Sequence, residues 1–535
     1  MPRTPLFSQV QRALQLARAA LHTPYDPAEL VERAAQARAA RRLSRREFLA
    51  SSAGLGAALL AGCAPPRAGA GPRPREPVLI VGAGIAGLTA AHRLRQAGVP
   101  VRVFEAQDRV GGRIFSLRHH FADGQVAELG GELIDTGHTH VQALARELGL
   151  ELDDLAQEAP GLATDLWFFG GQRRSDAEVV AAFRPLAARI EAELAGLGGD
   201  GSVSYRAPNG AERLDRLSLA EWLHAAGARG WMRDLLDVAY TTEYGLEIGE
   251  QSALNFLVMI DPQPEPFRVF GESDERFHVR GGNDQLPARL AERLADAIET
   301  GTVLEAVAAR PGGGFRCSFR RGEGTLEAQG THLLLALPFT LLREVRLAVE
   351  LPPAKRRAIR ELGYGTNAKL MLGFRARPWR QAHGSNGSLL TDLPLQLTWE
   401  TSRRQPGVAG ILTNFTGGAH GVSLGAGTPR AQAEAAVRDL ERVFPGVAAA
   451  RDGMTEARFH WPSHPWTRGS YACYRPGQWT AFAGAEGEAV GMLFFAGEHC
   501  SGEAQGFMEG GCETGEAAAA QILESLGRRA VSRAA

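Results

Sequence analysis

PVLIVGAGIAGLTAAHRLRQAGVPVRVFEAQDRVGGR, residues 77–113, decides the fold. Val78, Leu79, Ile80 and Val81 make a short apolar run of the kind buried on both faces in a parallel sheet. Gly82, Gly84 and Gly87 follow with G-x-G-x-x-G spacing. The first glycine suits a tight turn, the second lets a pyrophosphate approach the backbone, and the third lets helix and strand pack closely. Leu88, Ala91 and Leu94 recur at helical spacing, so the N-terminus of that helix would hold the phosphates. Gly98 closes the helix, and Val101, Val103 and Phe104 begin a second strand. Glu105 ends it eighteen residues after Gly87, where an acid takes ribose hydroxyls. Strand, turn, helix, strand and acid in that order predict a dinucleotide-binding βαβ unit.

At 535 residues the chain exceeds one hydrophobic core, so two or more domains are expected. Its net charge of -1 gives no reason to expect a nucleic acid partner. The charge is uneven, because residues 1–62 hold nine arginines and four acids. A basic leader before a mildly acidic body suggests an export signal. Ser44-Arg45-Arg46-Glu47-Phe48-Leu49 resembles a twin-arginine motif, and residues 48–61 are apolar but short for a bilayer span. Leu60-Ala61-Gly62-Cys63 resembles a lipobox, in which the cysteine carries the lipid. Residues 1–63 are therefore expected to be an extension and signal, read by the twin-arginine translocase. Delivery to the periplasm or the outer side of the membrane follows, with a possible lipid anchor on Cys63. Residues 64–77 form a Pro/Arg/Gly linker. The other four cysteines show no metal-ligand spacing, and no metal is expected; Cys500 and Cys512 are left open as a pair.

Arg109 and Gly111-Gly112-Arg113 directly after the acid resemble the FAD-binding proteins of the amine oxidase family. That family spans monoamine, polyamine and L-amino-acid oxidases. The resemblance implies FAD, with the Arg113 guanidinium on its pyrophosphate. Gly130 and Gly131, in ELGGELID, would pass in front of the flavin ring, with the next residues lining the substrate cavity. VRGGND, 279–284, resembles the family's second FAD segment and opens an expected helix over 285–299. A strand over 302–308 follows, and its Leu304 matches the position whose backbone holds the adenine. FFAGEH, 494–499, resembles the C-terminal FAD fingerprint, with Glu498 near the ribityl and phosphate groups. GFMEGG, 506–511, opens a helix to about residue 526, whose N-terminus at Phe507 and Met508 would face the flavin pyrimidine.

One residue stands out without any family. The chain has 59 basic residues, yet only Lys355 and Lys369 are lysines. Lys355, beside Arg356 and Arg357, reads as a solvated surface charge. Lys369 sits in NAKLMLGF, 367–374, an apolar strand-like run where an ammonium suggests a role that a guanidinium cannot fill. A snorkelling edge-strand lysine is the other reading. In the family a lysine at this place hydrogen-bonds a water at flavin N5. Tyr471 and Phe507 match the two aromatics that sandwich the amine in polyamine oxidases, and plain core is their alternative.

Two departures from the family pattern matter. The cysteine that binds flavin covalently in monoamine oxidases aligns with Gly469, four residues from Cys473, so non-covalent FAD is expected. L-Amino-acid oxidases often carry an arginine soon after the Gly-Gly pair, where this chain has Glu132, Leu133 and Ile134. Glu132, Asp135 and Glu243 would instead make the cavity acidic, unless they are solvated groups or caps.

The expected fold class is α/β, with a discontinuous Rossmann-like FAD domain over 78–150, 276–345 and 455–526. A mixed-sheet and helical substrate domain fills 151–275 and 346–454. The expected reaction is hydride transfer from the carbon next to an amine to flavin N5, with O2 regenerating the oxidised flavin and giving H2O2. A diamine or polyamine is the favoured small-molecule substrate. A basic L-amino acid is the runner-up, and a flavin-bearing electron-delivery or binding protein the third possibility.

Overall fold

Val78–Val81 is the middle strand of a five-stranded parallel sheet, and all four of its residues are buried. Leu333–Leu335 and then Leu493–Phe495 pair on one side of it. Val101–Phe104 and then Ile298–Glu299 pair on the other. The sheet thus gathers stretches of chain from both ends of the sequence. The computed structural model describes residues 76–157, 161–164, 166–198, 202–257 and 274–528. The twin-arginine motif, the apolar segment, Cys63 and most of the linker lie outside the described residues.

The helix Ile85–Gln96 leaves the first strand through Gly82, whose φ of +105° an L side chain rarely adopts. A Cβ on Gly87 would lie 2.0 Å from the Gly82 carbonyl oxygen, so the close packing of helix on turn demands glycine there. The helix Met508–Ser525 packs alongside, sharing one core with it through Ala86, Leu94, Cys512 and Ile522. A four-stranded sheet, in the order Gly324–Gly330, Phe315–Arg321, Thr302–Ala309 and Arg346–Ala348, flanks this unit.

A seven-stranded mixed sheet makes the second half. It runs from Arg451–His460 through Ala368–Phe374, Gly410–Thr416, Leu397–Glu400 and Leu389–Thr391 to Leu166–Phe169 and Gln172–Arg174. The helices Asp176–Ala195, Leu219–Ala225 and Gly230–Tyr244 cover one part of it, with Phe183, Trp222, Leu235 and Phe256 in their core. Ser218 and Glu221 form a capping box, and Ser175 with Glu178 forms a second.

Several expectations need correction. The helix over 285–299 stops at Arg293, and Ile298–Glu299 becomes the edge strand of the parallel sheet. Arg102 reaches across to Glu299 there, at 2.6 Å and 3.0 Å. The strand Arg451–His460 begins before residue 455 and pairs with Ala368–Phe374, so it sits with the seven-stranded sheet.

Lys355 is not a solvated charge: it is 2% exposed. Its Nζ donates to the Glu486 carbonyl at 2.5 Å and lies 3.7 Å from the centre of the Phe495 ring. Burial lowers its pKa to about 8. Cys317, Cys473, Cys500 and Cys512 are all free thiols, so Cys500 and Cys512 do not pair. Among the described residues no helix is long and apolar enough to cross a membrane.

Candidate active site

One cleft, with about 1920 Å³ of empty space that is partly open to solvent, runs from the glycine turn to the seven-stranded sheet. At its first end lies Gly84, the N-cap of Ile85–Gln96, where no side chain caps the helix. A Cβ built on Gly84 meets nothing within 4 Å, so the backbone there faces open space. An uncapped helix N-terminus beside open backbone is a site for phosphate. Glu105 lines the same end and accepts from the amides of Ala83 at 2.8 Å and Gln107 at 2.9 Å. Burial pushes its carboxyl above the ordinary value, although those two amides and Arg109 oppose the shift. Leu304 lies in this end as expected, in the strand Thr302–Ala309.

Midway along the cleft, Arg113 Nη1 donates to Glu498 Oε1 and to the Ser470 carbonyl, each at 2.7 Å. Glu498 Oε2 accepts from the amide of Gly506 at 2.8 Å, and Oε1 from that of Ala472 at 3.3 Å. One buried carboxylate therefore ties together the arginine, the aromatic segment around residue 471 and the entry to the last helix.

Gly130 and Gly131 line the next stretch. A Cβ on Gly130 would lie 1.9 Å from the Arg113 carbonyl oxygen, and one on Gly131 2.8 Å from Met508 Cγ. Met508–Ser525 begins here with N-cap Phe507 and again no side-chain cap, so a second helix N-terminus faces the cleft.

Lys369, Glu132, Trp399, Phe415, Tyr471 and Phe507 line the far end. Lys369 is buried, and its Nζ donates to Glu132 Oε2 and the Gly130 carbonyl, each at 2.8 Å, and to the Glu128 carbonyl at 3.1 Å. Trp399 Nε1 and Thr401 Oγ1 donate to the other oxygen of Glu132, at 2.8 Å and 2.9 Å. Burial pushes the Glu132 carboxyl upward, but the charge and hydrogen bond of Lys369 outweigh it, and the net shift is downward. Tyr471 Oη donates to the Thr242 carbonyl at 3.3 Å. Phe507 meets His138 edge-on, with 4.9 Å between ring centres.

The structure separates the three acids expected around the substrate. Glu132 lines the cleft but is spent on Lys369, Trp399 and Thr401. Asp135 does not line it: it is 1% exposed, and its Oδ1 accepts from the Glu275 amide at 2.7 Å. The bridge between Ile134 and Phe277 turns the chain aside, so nearness in sequence to Gly131 does not bring Asp135 to the cleft. Glu243, in the last turn of Gly230–Tyr244, is also fully buried and away from the cleft wall.

Sequence reasoning missed Trp399, Phe415 and Glu275. The first two were legible as large aromatics in buried strands. For Glu275 no local signal existed.

The cleft fits FAD. Open backbone at Gly84 and an uncapped helix suit its pyrophosphate, Glu105 its ribose, and the flat glycine passage with the second helix N-terminus its ring. No cysteine lines the cleft among the described residues, in keeping with non-covalent binding. Among these residues there is also no cluster of His, Cys, Asp or Glu suited to a metal.

Comparison with known proteins agrees. The chain is 25% identical to an L-amino acid dehydrogenase of Synechocystis over 464 residues, covering 84% of this chain and 95% of that protein. It is 24% identical to the flavin-containing amine oxidase A of Sus scrofa over 489 residues, covering 84% and 85%. The solved cyclohexylamine oxidase of Brevibacterium oxydans superposes with a TM-score of 0.73 at 25% identity, over 85% of this chain and all of that one. The sequence profile of flavin containing amine oxidoreductases matches residues 85–523. With that span matched and an FAD-shaped cleft inside it, the chain belongs to the flavin-containing amine oxidoreductases and is an FAD-dependent amine oxidase.

Proposed function

We propose that the substrate is an amine carrying a second cationic group, a diamine or polyamine, oxidised at the carbon next to one nitrogen. One observation carries this reading: every cation lining the cleft among the described residues already has a carboxylate partner. Arg113 is on Glu498, Arg468 on Glu344 and Lys369 on Glu132. The carboxylate of an amino acid would find no unengaged cation, and breaking the buried Lys369–Glu132 pair or the largely buried Arg113–Glu498 pair to bind it is costly.

FAD, when bound, supplies the two-electron acceptor and the route to O2. The chain supplies the setting. Trp399, Phe415, Tyr471 and Phe507 exclude water and so favour the neutral amine, whose lone pair assists loss of hydride without a strong base. Tyr471 and Phe507 orient the nitrogen. Lys369, fixed by Glu132 and two carbonyls, places a positive charge against the reacting region.

H2O2 release, and bleaching of the flavin without O2, are to be measured across monoamines, diamines and L-amino acids. Diamines are expected to react fastest. Faster turnover of a basic L-amino acid would overturn the reading and favour the alternative that the Synechocystis relative's name suggests. Bleaching without H2O2 would mark a dehydrogenase. Full FAD content with no reaction toward any of them would favour a binding or electron-delivery role.

We also propose export by the twin-arginine route with a lipid on Cys63, supported by the order of arginine pair, apolar segment and lipobox. Changing Arg45 and Arg46 together to lysine is expected to leave folded, FAD-loaded protein in the cytoplasm. Unchanged delivery in fractionation would overturn it.

A further inference from the structure

Glu275 is the one acid of the cleft with no assigned task. It lines the far end, is 7% exposed, and lies outside every motif read from the sequence. Its backbone is held in place. The amide donates to Asp135 Oδ1 at 2.7 Å, the bridge between Ile134 and Phe277 pins the next turn of chain, and φ is +42°. A non-glycine residue in that conformation persists when its surroundings over-determine it. Its side chain is the opposite case: among the described residues nothing hydrogen-bonds to the buried Oε2. Buried carboxylate oxygens are seldom left so, because the lost hydration is not returned.

The charges around it are mostly of its own sign. Asp135, Glu243 and Glu132 all act on Glu275, and Arg403 opposes them. Arg403 is partly committed, its Nε donating to the Glu400 carbonyl at 3.1 Å. Lys369 gives no relief, since its three N–H groups have acceptors on Glu132, Gly130 and Glu128. This corner of the cleft is therefore short of one hydrogen-bond donor and one positive charge.

We infer that Glu275 receives the second, non-reacting cationic nitrogen of the substrate and so sets the preference for dications. The inference rests on the amine-oxidation reading above and moves the acidic recognition group from Asp135 and Glu243 to Glu275. Burial, then Asp135 and Glu243, push the Glu275 carboxyl well above the ordinary range. An ammonium supplies the charge that offsets those causes, and its N–H groups satisfy the orphaned oxygen. A neutral alkyl tail does neither, so the corner selects by charge rather than by length.

The test uses the full FAD-loaded chain with two substrates that share a four-carbon chain, putrescine and n-butylamine. Glu275→Gln preserves shape and removes the charge. It is expected to raise KM for putrescine about 10- to 100-fold, the usual size of a lost charge-assisted contact, with kcat and KM for n-butylamine little changed. Glu275→Asp keeps the charge on a shorter stem and is expected to fall between the two. Equal shifts for both amines, or none, would overturn the assignment. A wild-type chain that oxidises n-butylamine but not putrescine would overturn it too, with amine oxidation left standing. Flavin bleached by neither amine would overturn both.

Discussion

Lys369→Met lowers turnover by about 10²-fold while the purified protein keeps its FAD; that is the expected result, sized as for a lost electrostatic or proton-handling group. Methionine retains the apolar stem between the neighbouring strands, so the seven-stranded sheet survives. What it removes is a charge 2.8 Å from Glu132 and 5.2 Å from the centre of the Trp399 ring. The complication is Glu132, whose buried carboxylate loses its cation in this variant and is destabilising until it takes a proton. The double variant Lys369→Met with Glu132→Gln separates the two effects. It should regain thermal stability without regaining turnover. Recovery of turnover in the double variant would mean that Lys369 only neutralises Glu132 and has no part in the reaction.

The second large effect is expected at Glu498. Removing its carboxylate leaves the Arg113 guanidinium unpaired and the amides of Gly506 and Ala472 without their acceptor. The cost should be about 3 kcal/mol, the lower end for breaking a buried pair, because the Arg113 side chain is 24% exposed. The consequence for FAD is larger than the consequence for stability. Gly506 leads into Phe507 and Met508, so the helix start at the ring end shifts together with the arginine midway along the cleft. Glu498→Ala should therefore be isolated largely without flavin, and Glu498→Gln, which still accepts from Gly506, should lie between. Flavin content by absorbance and unfolding with and without added FAD check this. Full FAD occupancy in Glu498→Ala would remove the residue from the cofactor site.

The parts legible in the sequence share a property: each is local. Gly82, Gly84 and Gly87 declare a turn because its constraints fall within six residues of chain. Glu105 and Arg113 follow by fixed spacing, and Lys369 stood out because a lone ammonium in an apolar strand is locally inconsistent. Asp135 and Glu243 were misplaced because their direction depends on segments far away in the chain, as the pairing of Ile134 with Phe277 illustrates. Glu275 had no signal for the same reason, since its neighbours in space arrive from three separate stretches, around residues 132–135, 243 and 403. Lys355 was misread for a different one. The charged run 355–357 suggested solvent, yet Lys355, Ala358, Ile359 and Leu362 share the helical spacing of a buried stripe. There the period was in the sequence and the residue type obscured it.

The burial of both lysines has a chemical consequence. Oxidation of a primary amine ends in an aldehyde, and aldehydes condense with accessible ε-amines to form imines. This chain has two lysines in all, 2% and 5% exposed, and meets every other need for a basic side chain with arginine. A guanidinium stays protonated and is a poor nucleophile toward a simple aldehyde. The surface thus offers its own product no lysine to condense with. With a primary amine as substrate, an aldehyde product would meet no accessible lysine on the folded protein, and amine-directed coupling reagents will find almost nothing there to label.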